Sequence, residues 1–276
     1  MAATRPGGEP LTPLPLTPPA PLTPPKRLGI LTPSSNTVLE PLSIALAAPI
    51  AQDVTLHFAR FRVTRIAEDG ASDDQFASDP MLDAAGLLAD ARVDGILWSG
   101  TSGAWLGLDV DHRLVDAIRE ATGIEATTST LALLDAFAGL GVRRYALVVP
   151  YVAAVTEAIV ANLGALGYEC VARTNEDLVD NWSFATVTSD TLAERVRTVA
   201  AERPDAIVIH CTNLRGAEVS ERLEQELGIP VLDSVVVGLW GALRQLDVAV
   251  PRTGFGRLSA VERAEAPERA RAGANA

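Results

Sequence analysis

The chain has 276 residues, of which 48% are hydrophobic and 21% charged, with a formal net charge of −12. That is enough apolar material for one large α/β domain or two lobes, and it excludes a chain without a core. The acidic balance and the lack of a basic stripe argue against a nucleic-acid partner and against binding to anionic membranes.

Residues 1–26 hold half of the 18 prolines, and Leu-Thr-Pro recurs at Leu11, Leu16 and Leu22. Such a segment cannot build a core and lacks the basic start and continuous apolar stretch of a signal peptide, so it is expected to be a disordered tail. Short apolar runs then alternate with amphipathic stretches. Strands are expected at 27–32, 54–62, 94–99, 124–127, 144–149, 170–174, 206–210 and 231–233. Helices are expected at 80–91, 112–121, 130–139, 152–166, 189–203, 217–227 and 236–246. This alternation predicts an α/β fold of parallel sheets covered by helices on both faces. Residues 261–276, rich in Ala, Arg and Glu, read as a second tail. No apolar run reaches the roughly 18 residues needed to cross a bilayer.

The chain also repeats itself. Leu28-Gly-Ile-Leu-Thr-Pro33 parallels Tyr145-Ala-Leu-Val-Val-Pro150, and Asp94-Gly-Ile-Leu-Trp-Ser-Gly100 parallels Asp205-Ala-Ile-Val-Ile-His-Cys211. Gly123-Ile124 likewise parallels Gly228-Ile229. Three matches in order predict two similar lobes facing one another, 27–140 and 141–246, with 247–260 available to pack back on the first.

Rare residue types narrow the chemistry. The single lysine, Lys26, falls in the proline-rich segment, which argues against a Schiff base. Cys170 and Cys211 are too few for a disulfide framework, so a reducing cytoplasm is expected. His57, His112 and His210 are scattered and make no metal cage with them, so no metal and no cofactor are expected. Phosphate-loop, dinucleotide and Gly-x-Ser-x-Gly patterns are missing as well.

In open parallel sheets, ligands bind beyond the carboxyl ends of the strands. Those ends are Thr32–Asn36, Gly100–Gly103, Pro150–Tyr151 and Cys211–Asn213, all rich in hydroxyls or amides and suited to holding a carboxylate or phosphate. Any one of these side chains could equally cap a helix. Cys211 is the sharpest candidate, with a nearby helix start expected to favour its thiolate. Cys170 reads as strand filling. His210 falls on the opposite side of its strand from Cys211.

From about Arg27 to Leu258 the chain resembles the Asp/Glu racemase superfamily, in its maleate isomerase and arylmalonate decarboxylase branch. Pro33-Ser-Ser-Asn36, Asp180-Asn181 and Cys211-Thr-Asn-Leu-Arg215 are similar to maleate isomerases. Gly100-Thr101-Ser102, Tyr151 and Gly254-Phe-Gly-Arg-Leu258 are similar to arylmalonate decarboxylases. The resemblance implies two pseudo-twofold-related Rossmann-like (flavodoxin-like) lobes with the active site between them. Family racemases and maleate isomerases carry a cysteine from each lobe, whereas here the first-lobe position is Gly100.

The leading expectation is therefore a cofactor-free lyase that decarboxylates a malonate-type dicarboxylate. Cys211 would protonate the enediolate, and Ser35, Asn36, Gly100, Thr101, Ser102, Tyr151, Asn181 and Thr212 would form the substrate site. A cysteine introduced at position 100 is then expected to permit racemisation of the product. Isomerisation of maleate or another small dicarboxylate is the first alternative, and a non-catalytic carboxylate-binding protein the second. The expected partner is a small carboxylate or dicarboxylate substrate, and assembly as a homo-oligomer stays open.

Overall fold

The structure, a computed structural model, describes residues 24–66 and 78–262. Most of the expected proline-rich tail and nearly all of the expected C-terminal tail lie outside these residues.

The first half runs β1 (Lys26–Pro33), α1 (Leu39–Ala47), β2 (Val54–Phe61), α2 (Ser78–Asp90), β3 (Gly95–Trp98), the single turn α3 (Gly103–Leu106), α4 (Leu108–Thr122), β4 (Ala126–Thr128) and α5 (Ser129–Leu140). The second half runs β5 (Arg144–Tyr151), α6 (Ala153–Ala165), β6 (Glu169–Leu178), the turn α7 (Asn181–Phe184), α8 (Ser189–Ala200), β7 (Ala206–Ile209), α9 (Ser220–Leu227), β8 (Val231–Asp233) and α10 (Ser234–Gln245).

All pairings between named strands are parallel, and the two sheets have the same order, β2-β1-β3-β4 and β6-β5-β7-β8. This is the doubly wound α/β arrangement expected from the sequence. Strands β3 and β7 are buried throughout, as suits central strands covered on both faces. The strand order reverses at β1/β3 and at β5/β7, which opens a crevice beyond their carboxyl ends.

The repeated residues do matching local work. Asp94 accepts the Arg27 N–H at 2.8 Å, and Asp205 accepts the Arg143 and Arg144 N–H groups at 2.9 and 2.8 Å. Each aspartate thus ties the start of the third strand of its half to the start of the first. Gly123 and Gly228 end α4 and α9 in the left-handed conformation, φ +71° and +69°, which a side chain would strain.

One helix welds the halves together. In α10, Val235, Val236, Val237, Leu239, Trp240, Ala242 and Leu243 are all buried. A helix that is apolar all round belongs in a core, and α10 packs on its counterpart α5 and on β3 and β4 of the first half. The two caps also correspond: Thr128 accepts the Leu131 N–H at the start of α5, and Asp233 accepts those of Val235 and Val236 at the start of α10.

Several boundaries differ from expectation. Lys26 belongs to β1 rather than to the tail, because its N–H bonds the Asp53 carbonyl at 2.8 Å and its ammonium lies 3.8 Å from Asp94. Helix α1 was not anticipated; an Asn36 side-chain turn starts it. Strand β6 runs four residues past the expected 174, following the extended edge of β5. Residues 254–258 are tied to α9 and α10 through Gly254 N–H to Glu221, Arg257 N–H to Glu224 and Trp240 Nε1–H to the Leu258 carbonyl, while Gly254 also lies against Leu46 of α1. Among the described residues no helix is long and apolar enough to cross a membrane.

Candidate active site

The carboxyl ends of β1, β3, β5 and β7 converge between the halves. A pocket there is lined by Gly100, Thr101 and Ser102 after β3, Tyr151 ending β5, Asn181 starting α7, and Cys211 and Thr212 after β7. Pro33, Val63, Ile66, Trp98 and Trp105 complete the lining, and the empty space, mouth included, is about 270 Å³. None of the lining residues carries a formal charge. An anion in this pocket would be held by hydroxyls, amides and backbone N–H groups.

Cys211 is 2% exposed, and the Asn213 N–H points at its sulfur from 3.3 Å. Burial pushes the thiol up to about 12, and the Asp233 carboxyl adds to the rise; the Tyr151 hydroxyl and the Asn213 N–H act in the opposite sense. The expected thiolate is therefore corrected. After Cys211 the chain passes through a turn and a short 3-10 helix at Gly216–Glu218, and α9 begins only at Ser220. Desolvation outweighs the N–H contacts, so the group is a neutral thiol, suited to give a proton.

Two hydroxyls face each other across the halves. Thr101 Oγ1 and Tyr151 Oη lie 3.1 Å apart, and burial keeps the Tyr151 phenol well above its usual range. Ser102 Oγ accepts a long hydrogen bond, 3.4 Å, from the Trp98 indole N–H. His210 is buried, and burial lowers its ring to about 4, against an opposing pull from the Thr101 backbone. It is thus neutral at ordinary pH.

Ser35 and Asn36 sit behind the pocket. Asn181 Nδ2–H donates to Ser35 Oγ at 2.8 Å, and Ser35 donates in turn to the Val63 carbonyl at 2.5 Å. Asn36 donates to Thr212 Oγ1 at 3.3 Å while its own carbonyl receives the Val38 and Leu39 N–H groups. Asn213 completes this web: its Oδ1 accepts the Thr37 N–H at 3.0 Å and its amide donates to the Asn181 carbonyl at 2.5 Å. Outside the pocket, Arg60 braces the Ser34 and Asn36 carbonyls at 3.1 Å each.

Val63 and Ile66 were not anticipated as lining residues, nor Asn213 as the link between loops, whereas Pro33 stood in the expected strand end Thr32–Asn36. Val63 and Ile66 follow β2 in an irregular stretch with no periodic signal. Asn213 stood in a noticed motif, yet its partners are distant in sequence. The loops after β3 and β7 each rest on a buried carboxyl. A Cβ at Gly103 would lie 2.3 Å from the Asp111 carboxyl carbon, and one at Gly216 would lie 2.4 Å from Asp233 Oδ2. Burial raises these acids to about 6 and about 7. Among the described residues no group of three or more His, Cys, Asp or Glu side chains could hold a metal ion.

The family model for arylmalonate decarboxylase matches residues 53–259. The chain belongs to the arylmalonate decarboxylase family. It is 28% identical to a maleate isomerase of Nocardia farcinica over 242 residues, covering 84% of this chain and 95% of that one. It is 33% identical to an arylmalonate decarboxylase of Bordetella bronchiseptica over 166 residues, covering 55% of this chain and 65% of that one. Among solved structures, a mutant Nocardia farcinica maleate cis-trans isomerase with a covalently bound succinylcysteine intermediate superposes with a TM-score of 0.76 at 27% identity, covering 85% of this chain and 98% of that one. The family is the branch of the Asp/Glu racemase superfamily expected from the sequence. The protein is accordingly a cofactor-independent enzyme of this family, a lyase or an isomerase.

Proposed function

We propose that the protein decarboxylates a malonate-type dicarboxylate and that Cys211 supplies the only proton at the reacting carbon. The observation that carries this reading is the pairing of one buried thiol in the pocket, Cys211, with glycine at its repeat counterpart, position 100. A decarboxylation needs one proton donor, whereas two-base racemisation needs one on each face.

The retained carboxylate is held by the Thr101, Ser102 and Tyr151 hydroxyls and by backbone N–H groups around Cys211 and Thr212. The leaving carboxylate meets the apolar side of the pocket, formed by Val63, Ile66 and the two indoles, which strips its water. The bond from the central carbon to this carboxylate breaks, carbon dioxide departs, and the electron pair moves into the retained carboxylate as an enediolate. Each donor aimed at that developing charge lowers the barrier by about 3 kcal/mol. Cys211 then passes its S–H proton to the planar carbon, and the thiolate left behind regains a proton from water. Ser35, Asn36 and Asn181 hold the loops that carry these groups, and Asn181 also reaches the pocket.

Isomerisation of a small cis-dicarboxylate is the second reading, favoured by the longer match to the maleate isomerase than to the decarboxylase. It would need Cys211 to add to the double bond as a thiolate and later leave. Burial of that sulfur opposes this.

Proton NMR in deuterated water, with maleate and with phenylmalonate in separate samples, tests the choice. Phenylacetate carrying deuterium at the α-carbon, with maleate unchanged, is the expected result. Fumarate from maleate with phenylmalonate unconsumed would overturn it.

A further inference from the structure

We propose that Trp98 makes this pocket one-sided, its indole taking the space of a first-half thiol and aiming the Ser102 hydroxyl at the substrate. The inference rests on the decarboxylase reading and adds to it the residue that sets face selectivity.

The geometry is direct. A Cβ built on Gly100 would lie 2.0, 2.3 and 2.5 Å from Cζ2, Cε2 and Cη2 of Trp98. With the indole in place, position 100 accepts no side chain. The ring is held there from two sides: the Phe61 ring packs at 5.0 Å, and the indole N–H reaches Ser102 Oγ at 3.4 Å. Trp98 is 1% exposed, so rotating it away would open the core. Because the indole donates to the Ser102 oxygen, the Ser102 proton is left to point elsewhere, and Ser102 lines the pocket.

The repeat supplies a second, independent observation. The offset of 111 that pairs Gly100 with Cys211 pairs Trp98 with Ile209. In each half the pocket residue, Gly100 or Cys211, follows the last residue of its strand, Trp98 or Ile209, by two positions. The second half combines a smaller aliphatic residue with cysteine, and the first half combines a bulky indole with glycine. The two substitutions compensate one another in volume. The flat indole also denies a water molecule the face that a second acid would occupy, which leaves Cys211 as the proton source.

On this proposal a cysteine introduced alone at position 100 has no room, so it does not by itself permit the racemisation expected from the sequence. The test is a double-mutant cycle of wild type, Gly100→Cys, Trp98→Ile and the double variant, followed by thermal melting and by racemisation of single-enantiomer α-phenylpropionate. Gly100→Cys alone should melt roughly 5–10 °C lower than wild type and should not racemise the acid. Adding Trp98→Ile should recover at least half of that loss and raise racemisation at least about 10-fold over wild type, because the first half then copies the Ile209/Cys211 pair. A Gly100→Cys protein that melts like wild type, or that racemises as fast as the double variant, would overturn the proposal. The melting cycle needs no turnover, so it decides the place of Trp98 even if no malonate is decarboxylated, which would overturn the underlying reading alone. Gly100→Ala serves the same cycle if the cysteine variant does not fold.

Discussion

The Thr101 and Tyr151 hydroxyl oxygens stand 3.1 Å apart, one from each half of the molecule, and both side chains are buried. The pair spans the cleft, so the placement of the two strand ends also sets the spacing of two donors. It shares the pocket with Cys211.

Tyr151→Phe removes one donor and leaves the ring packed between Trp105 and Phe184. We expect kcat for malonate decarboxylation to fall about 100-fold with KM changed by less than about 3-fold, since the donor acts on charge that develops in the transition state. Steady-state kinetics check this; a change confined to KM would make Tyr151 a binding group only.

Asn213→Ala should act differently. It deletes the acceptor of the Thr37 N–H, a bond between the halves, and the donor to the Asn181 carbonyl, which is left buried and unpaired. A loss of about 2–3 kcal/mol in stability is expected, with KM raised more than kcat is lowered. Denaturant unfolding alongside kinetics measures both.

The repeat shows how much was readable in advance. The matched Asp94/Asp205 and Gly123/Gly228 were legible because each performs a local task, a strand tie or a helix cap, that needs one residue type at one place. The strand-end loops followed from topology. The thiol state of Cys211 was not legible, because burial depends on which residues close over the sulfur. Neither was the reach of Trp98 over Gly100, which depends on a rotamer fixed by Phe61 and Ser102, nor the contribution of Val63 and Ile66 from an aperiodic stretch.

Asp233 gives a pH prediction. Burial raises its carboxyl from 3.8 to about 7. Between those values the folded protein holds a proton that the unfolded chain releases, so stability is fully present below about 4 and falls as pH rises through about 7. Asp233→Asn keeps a side-chain oxygen for the α10 cap. It should be about 1–3 kcal/mol more stable than wild type at pH 8, with the gap closing toward pH 4. Urea unfolding at the two pH values tests the sign.

The thiol itself should stay protonated far into the alkaline range. With Cys211 raised to about 12 from 9.0, thiolate absorbance is expected to be missing at pH 9 in a Cys170→Ala background. Decarboxylation should show no loss attributable to Cys211 ionisation up to that pH. An ultraviolet titration with a midpoint near or below 9 would show a thiolate-forming site instead.

The most direct test of a single proton donor on one face is the product of a malonate bearing methyl and phenyl substituents, turned over in deuterated water by wild type and by Cys211→Ala. Wild type should give one enantiomer with a single deuterium at the α-carbon, and Cys211→Ala should lose at least about 1,000-fold in rate. Racemic product from wild type, or undiminished turnover by Cys211→Ala, would contradict the assignment.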